Sequence, residues 1–201
     1  MKVEYSEKEI AIFNGMLNLL KDGANPHMIT VSEIARSAGI GKGTIYDYFQ
    51  TKEEVISKAI LFNMQHEIEN FYKRMKGKDG FKQQYFEVLK IIEENMENMF
   101  SSFNLFLSVG SFLEVKDVLF QENSDFTLYR NRLQEVVDEL LYIGSQEGII
   151  QEIQEDDYRR MVIKSSFYAF VNFIHLRHMY RCTTIEDAKR HAYKMVIKSL
   201  N

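Results

Sequence analysis

The chain has a single proline, a single cysteine and no tryptophan in 201 residues. With Pro26 as its only proline, almost every stretch is free to be helical. One cysteine, Cys182, excludes an intramolecular disulfide framework and fits a reducing, cytoplasmic compartment. Long apolar runs are missing too: nothing reaches the roughly 18 apolar residues of a membrane span, and the opening MKVEYSEKEI lacks the apolar stretch of a secretion signal. There is no excess of positive charge either. Residues 1 to 52 carry six basic and six acidic side chains within a chain of net charge -4. A polyanion would have to be recognised by the placement of charge, not its sum. No phosphate loop, nucleophile elbow or metalloprotease helix pattern is present, so the sequence indicates no enzyme and no cofactor.

What the sequence does contain is helical periodicity from end to end, with no strand alternation, repeat or low-complexity tract. The informative stretch is TVSEIARSAGIGKGTIYDYFQTK, residues 30 to 52. Thr30 with Glu33 is a capping box that starts a helix at Val31. Ile34, Ala35 and Ala38 form its narrow apolar stripe, and Gly39 supplies the left-handed residue of a sharp exit. Only Gly39-Ile40-Gly41 separates it from a second short pattern, Lys42 to Phe49, in which Ile45 and Phe49 stand four apart and point inward. Two helices joined by so short a turn outline a helix-turn-helix. The second is too short to be stable alone.

The outer residues of that second helix suit DNA. Lys42 and Thr44 lie in its first turn, where a side chain reaches base edges in the major groove: Lys42 to guanine O6 or N7, Thr44 to a thymine methyl or a phosphate. Gly43 lets the backbone come near, while Tyr46, Tyr48 and Lys52 are placed for phosphates. Thr30 and Ser32 add a phosphate and a base-edge contact. Asp47 is repelled by phosphate unless it accepts from cytosine N4, and otherwise simply faces solvent. The bland alternative for Tyr46 is half-buried packing.

The run IARSAGIGKGTIYDYFQTKEEV resembles the signature of the tetracycline-repressor (TetR) family of bacterial transcriptional regulators, without a gap from about Thr30 to Val55. The specific positions are Gly39, Gly43-Thr44, Tyr46, Tyr48-Phe49 and Lys52. Gly41 departs from the serine more usual there, and glycine caps nearly as well. The resemblance implies an all-α chain of about nine helices. A helix-turn-helix DNA-binding domain over 1-52 would be joined by a long fourth helix to a ligand-binding and dimerisation domain over 53-201. It also implies that Tyr46, Tyr48 and Lys52 grip phosphates, that a small-molecule effector sits among the later helices, and that the last two helices build a four-helix interface in a homodimer.

Beyond the motif, the first helix is expected from Glu7 to about Asp22, behind a Ser6-Glu9 capping box. The fourth is expected from Lys52 towards Met75, with a stripe of Val55, Ala59, Phe62 or Asn63, His66 and Asn70, more polar as it goes. Further helical patterns cover roughly Phe81 to Phe100, Phe103 to Leu113, Asp125 to Glu147, Asp157 to Arg181 and Ile185 to Leu200, the last opened by Thr183 with Glu186. Ser165, Tyr168, Asn172 and His175 form a hydrogen-bonding stripe on an otherwise apolar helix. With Phe103, Phe106 and Tyr129 they are the candidate effector-binding residues, and the aromatic richness suits a hydrophobic or aromatic ligand. The neighbouring stripe of Val162, Ser166, Ala169 and Phe173, with Ala188, Ala192 and Met195 of the last helix, is the candidate dimer face. The expected partners are an operator in double-stranded DNA, an effector and a second copy, with no membrane. The release of a repressor by its effector is weighed against two alternatives: an effector-independent DNA-binding or architectural factor on the same fold, and a metal sensor using His175, His178, Cys182 and His191.

Overall fold

The computed structural model describes residues 5-26, 28-97, 125-151, 154-180 and 182-201, with side chains of the helix that begins at Asp125 described from 131 onward. Among the described residues are eight α-helices and no strand. These are α1 (Glu7–Lys21), α2 (Val31–Ala38), α3 (Lys42–Tyr48), α4 (Lys52–Lys76), α5 (Gly80–Glu97), α6 (Asp125–Gln146), α7 (Asp156–His175) and α8 (Ile185–Ser199). A single 3-10 turn, Arg177–Met179, follows α7. The helix expected over Phe103 to Leu113 lies outside the described residues, as do the candidate residues Phe103 and Phe106 and the side chain of Tyr129.

The helix starts follow local chemistry. Ser6 and Glu9 close a full capping box on α1, and Thr30 and Glu33 close one on α2. The box on α8 is Thr184 with Asp187, one residue later than the expected Thr183 with Glu186. Both threonines are followed three residues on by an acid, so the sequence alone left the register open. α2 ends in a Schellman motif: Gly39 is left-handed at φ 69°, its amide donates to the Arg36 carbonyl at 3.2 Å, and the Ile40 amide donates to Ala35 at 3.0 Å. α7 stops at His175, short of the expected Arg181, and the chain tightens into its 3-10 turn.

The described residues divide into two compact units, one running to Glu67 and taking in 125-130, the other holding the residues from Ile68 to 97 and from 131 onward. The first core draws on α4: Val55, Ile56, Ala59, Ile60, Leu61 and Met64 pack with Phe13, Met16 and Leu17 of α1, Ile34 of α2, and Ile45 and Phe49. His66 and Asn70, placed by sequence on the inward stripe of α4, are exposed. In the second unit Phe81, Tyr85 and Leu89 of α5 pack with Val136 and Leu140 of α6, Phe170 and Phe173 of α7, and Ala188, Ala192 and Val196 of α8.

One close approach inside the first unit was not visible in the sequence. A Cβ on Gly15 of α1 would lie 2.7 Å from the Ala38 backbone nitrogen and 2.9 Å from its Cα. Only glycine lets the end of α2 rest against α1 at that distance.

Candidate nucleic-acid interface

α3 is a helix of seven residues whose apolar anchors are few. Ile45 is fully buried at 0% exposure, and Phe49 at the C-terminal cap is buried with it against Phe13, ring centroids 5.6 Å apart. The Phe49 amide donates to the Ile45 carbonyl at 2.9 Å and closes the last turn. At the other end Gly41 caps without a side-chain hydrogen bond. Held by Ile45 and Phe49, the helix turns Lys42, Gly43, Tyr46, Asp47 and Tyr48 to solvent. Tyr46 is 53% and Tyr48 39% exposed, so both rings present part of their surface to solvent. Thr44 is half-buried, its Oγ1 on the Gly41 side of the turn.

The remaining candidates flank this helix. Ser32, in the first turn of α2, is exposed. Thr30 is exposed as well, but its hydroxyl is committed: it donates to Glu33 Oε2 at 2.8 Å and accepts from the Glu33 amide at 3.3 Å. The Thr30 backbone amide, which donates to the same Oε2 at 2.8 Å, and then the Thr30 hydroxyl hold the Glu33 carboxyl below the usual carboxylate range. Lys52 opens α4, half-buried, with its Nζ 3.9 Å from Glu53. Behind it, Glu54 Oε2 accepts the Gln50 amide at 2.8 Å while the Glu54 amide donates to Thr51 Oγ1 at 3.0 Å. The result is an exposed ridge of aromatic hydroxyls and one free-standing turn bearing Lys42, small enough for a major groove.

In the second unit the two stripes of α7 differ in burial. Ser165, Tyr168, Asn172 and His175, the candidate ligand stripe, are exposed, Tyr168 at 71%. Of the candidate dimer residues, Ser166, Phe173, Ala188 and Ala192 are buried inside the unit, whereas Ala169 and Met195 are exposed and Val162 is half-buried. Ser166 belongs to the core because Tyr85 of α5 reaches it: the phenol donates to Ser166 Oγ at 2.8 Å, and that hydroxyl donates to the Ile163 carbonyl at 2.6 Å. Around Tyr85 stand Phe81, Phe86, Phe167 and Tyr193, centroids 5.3 to 6.2 Å away, and this burial pushes its pKa up.

Charged side chains tie the unit's helices. Arg74, in the last turns of α4, donates to Glu87 at 2.7 and 2.9 Å and to Glu94 at 2.5 Å, both on α5. Lys189 of α8 lies nearly buried, 2.6 Å from Glu93 and 2.7 Å from Glu186. Among the described residues no three of histidine, cysteine, aspartate and glutamate converge as metal ligands. No helix there is long and apolar enough to cross a membrane.

Residues 25–59 match the family model described as bacterial regulatory proteins, tetR family. No curated protein matches the chain. Solved structures share its fold. The transcriptional regulator FadR from Bacillus subtilis, in complex with stearoyl-CoA, is 20% identical with a TM-score of 0.58, over 96% of this chain and 97% of that one. A TetR family transcription regulator from Marinobacter aquaeolei VT8 is 15% identical, TM-score 0.55, over 96% and 95%. A protein of Saccharomonospora viridis, described as a candidate transcriptional regulator and in complex with choline, is 12% identical, TM-score 0.64, over 96% of each chain.

Proposed function

We propose that this chain is a TetR-family transcriptional regulator, a dimeric repressor released from a palindromic operator by a small hydrophobic or aromatic effector. The observation that carries the reading is α3: two buried anchors, Ile45 and Phe49, and an outer face of Lys42, Gly43, Tyr46 and Tyr48 open to solvent. In this reading Lys42 reaches a guanine edge, Thr44 a thymine methyl or a phosphate, Ser32 a base edge, and Tyr46, Tyr48 and Lys52 hold phosphates. Thr30, occupied by Glu33, acts by starting α2 rather than by touching DNA.

The homodimer is supported by the exposed side of the last two helices. Met161, Tyr168 and Ala169 on α7 and Met195 on α8 leave apolar surface uncovered, with Ser165, Asn172 and His175 among them as polar contacts. The effector belongs to the second unit, whose aromatic side chains suit an apolar ligand. Proteins of this fold have been solved with stearoyl-CoA and with choline, so the architecture accepts ligands of different chemistry. Release follows if the effector binds better to a dimer whose reading helices are wrongly spaced.

The test begins with DNA selected from a random pool by the purified protein. Tyr46→Ala with Lys42→Ala should abolish binding of the selected sequence while the melting temperature stays near that of the parent. A compound that raises the melting temperature should bind less tightly when the selected DNA is present, by the factor with which it weakens DNA binding. Equal effector affinity for free and DNA-bound protein would refute induction.

A further inference from the structure

Both helix starts that flank α3 already hold an anion supplied by the chain. At α2, Glu33 Oε2 takes the Thr30 amide and the Thr30 hydroxyl, each at 2.8 Å. At α4, Glu54 Oε2 takes the Gln50 amide at 2.8 Å. These are positions where free amides and the helix dipole would otherwise draw a phosphate. The surrounding charge points the same way. From Thr30 to Glu54 there are three cations, Arg36, Lys42 and Lys52, against four carboxylates, Glu33, Asp47, Glu53 and Glu54. Affinity for DNA of arbitrary sequence comes from phosphates neutralised by cations, and a stretch with net negative charge supplies little of it.

We propose that Glu33 and Glu54 set specificity: by filling the two anion seats beside α3 they hold down binding to arbitrary DNA, so that stable binding requires the base-edge contacts of α3. The inference rests on the DNA-binding function proposed above. It assigns the two carboxylates a repulsive role, in which discrimination is gained by weakening the wrong complex rather than strengthening the right one. Their capping hydrogen bonds serve folding, and their charge serves discrimination.

Glutamine separates the two roles, because it caps at this position as glutamate does but carries no charge. The Ser6-Glu9 box on α1 provides the control, with the same hydrogen bonds, 2.8 Å from Ser6 to Glu9 Oε2, at another helix start. The full-length variants Glu33→Gln, Glu54→Gln and Glu9→Gln are compared by fluorescence anisotropy on a labelled duplex of arbitrary sequence and on the selected operator, over a series of salt concentrations. Glu33→Gln and Glu54→Gln should each tighten the arbitrary duplex about three- to fivefold at low salt, narrow the ratio between operator and arbitrary DNA, and lose the effect as salt rises. Glu9→Gln should change neither affinity. An unchanged ratio in folded Glu33→Gln and Glu54→Gln, or an equal gain in Glu9→Gln, overturns this inference while leaving DNA binding standing. Absence of DNA binding in the parent and in every variant at low salt overturns the proposed function, and this inference with it.

Discussion

Replacing Ser166 by alanine should destabilise the protein more than replacing Tyr85 by phenylalanine, although the two side chains share one hydrogen bond. Tyr85 sits fully buried among aromatic rings, and its phenol donates to Ser166 Oγ. In Ser166→Ala that phenol loses its acceptor in an apolar pocket, which costs about 1–3 kcal/mol. In Tyr85→Phe the serine hydroxyl still donates to the Ile163 carbonyl, so the loss is that of one ordinary hydrogen bond, about 0.5–1.5 kcal/mol. The double variant leaves no orphaned donor and should be no worse than Ser166→Ala alone, so the two losses should be strongly non-additive. Urea unfolding followed by far-ultraviolet circular dichroism, at one fixed protein concentration, gives all four corners of the cycle. Additive losses, or a Tyr85→Phe more damaging than Ser166→Ala, would refute the inward placement of Ser166. Weakened self-association of Ser166→Ala at unchanged stability would return that residue to the dimer face.

Gly15→Ala should lower stability by about 1–3 kcal/mol from overpacking against the Ala38 backbone, only partly offset by alanine's better helix propensity of about 1 kcal/mol; a thermal melt decides it. Gly41→Ser should raise stability by a few tenths of a kcal/mol, because the glycine cap has an extended backbone at φ -73° that serine adopts freely, and serine adds a hydroxyl acceptor. Arg74→Met should destabilise by leaving the buried Glu87 carboxylate with Lys78 as its nearest cation, 3.7 Å away; urea unfolding at neutral pH measures it. The Arg74 guanidinium holds the Glu94 carboxyl below its ordinary value of 4.5. Glu94 therefore stabilises the fold above that pH and loses its contribution as pH falls through the lowered value, so Glu94→Gln should flatten the acid side of a stability-pH profile.

How legible each part was depended on how far the deciding contact lay along the chain. The helix-turn-helix could be read almost residue by residue because its determinants are local: a capping box spans four residues, Gly39 forms its own turn, and Ile45 with Phe49 are one turn apart. The faces of α7 could not be assigned in the same way. Periodicity showed that Ser165 and Ser166 belong to different stripes, but the side chain that claims Ser166 is Tyr85, 81 residues earlier. The polar stripe of Ser165, Tyr168, Asn172 and His175, read from periodicity as a lining, is exposed in the single chain. The inward face of α4 was misjudged for a related reason. The expected stripe is buried at Val55 and Ala59, but burial then continues through Ile60, Leu61, Met64 and Ile68, whereas His66 and Asn70, further along the expected stripe, face solvent. The cost of a side chain at Gly15 depends on where α2 ends in space, which no spacing within α1 records.

The attachment of α3 also bears, under the proposed DNA-binding function, on how recognition changes its target. Because Ile45 and Phe49 are the buried anchors of the helix, the side chains at 42, 46, 47 and 48 can be exchanged with little consequence for folding. Under that function a lineage that duplicates this gene explores new DNA targets through substitutions at a handful of surface positions, without first acquiring compensating changes in the core. The two inward residues are the part of the helix that should resist drift, and the outward ones the part from which divergent regulators arise.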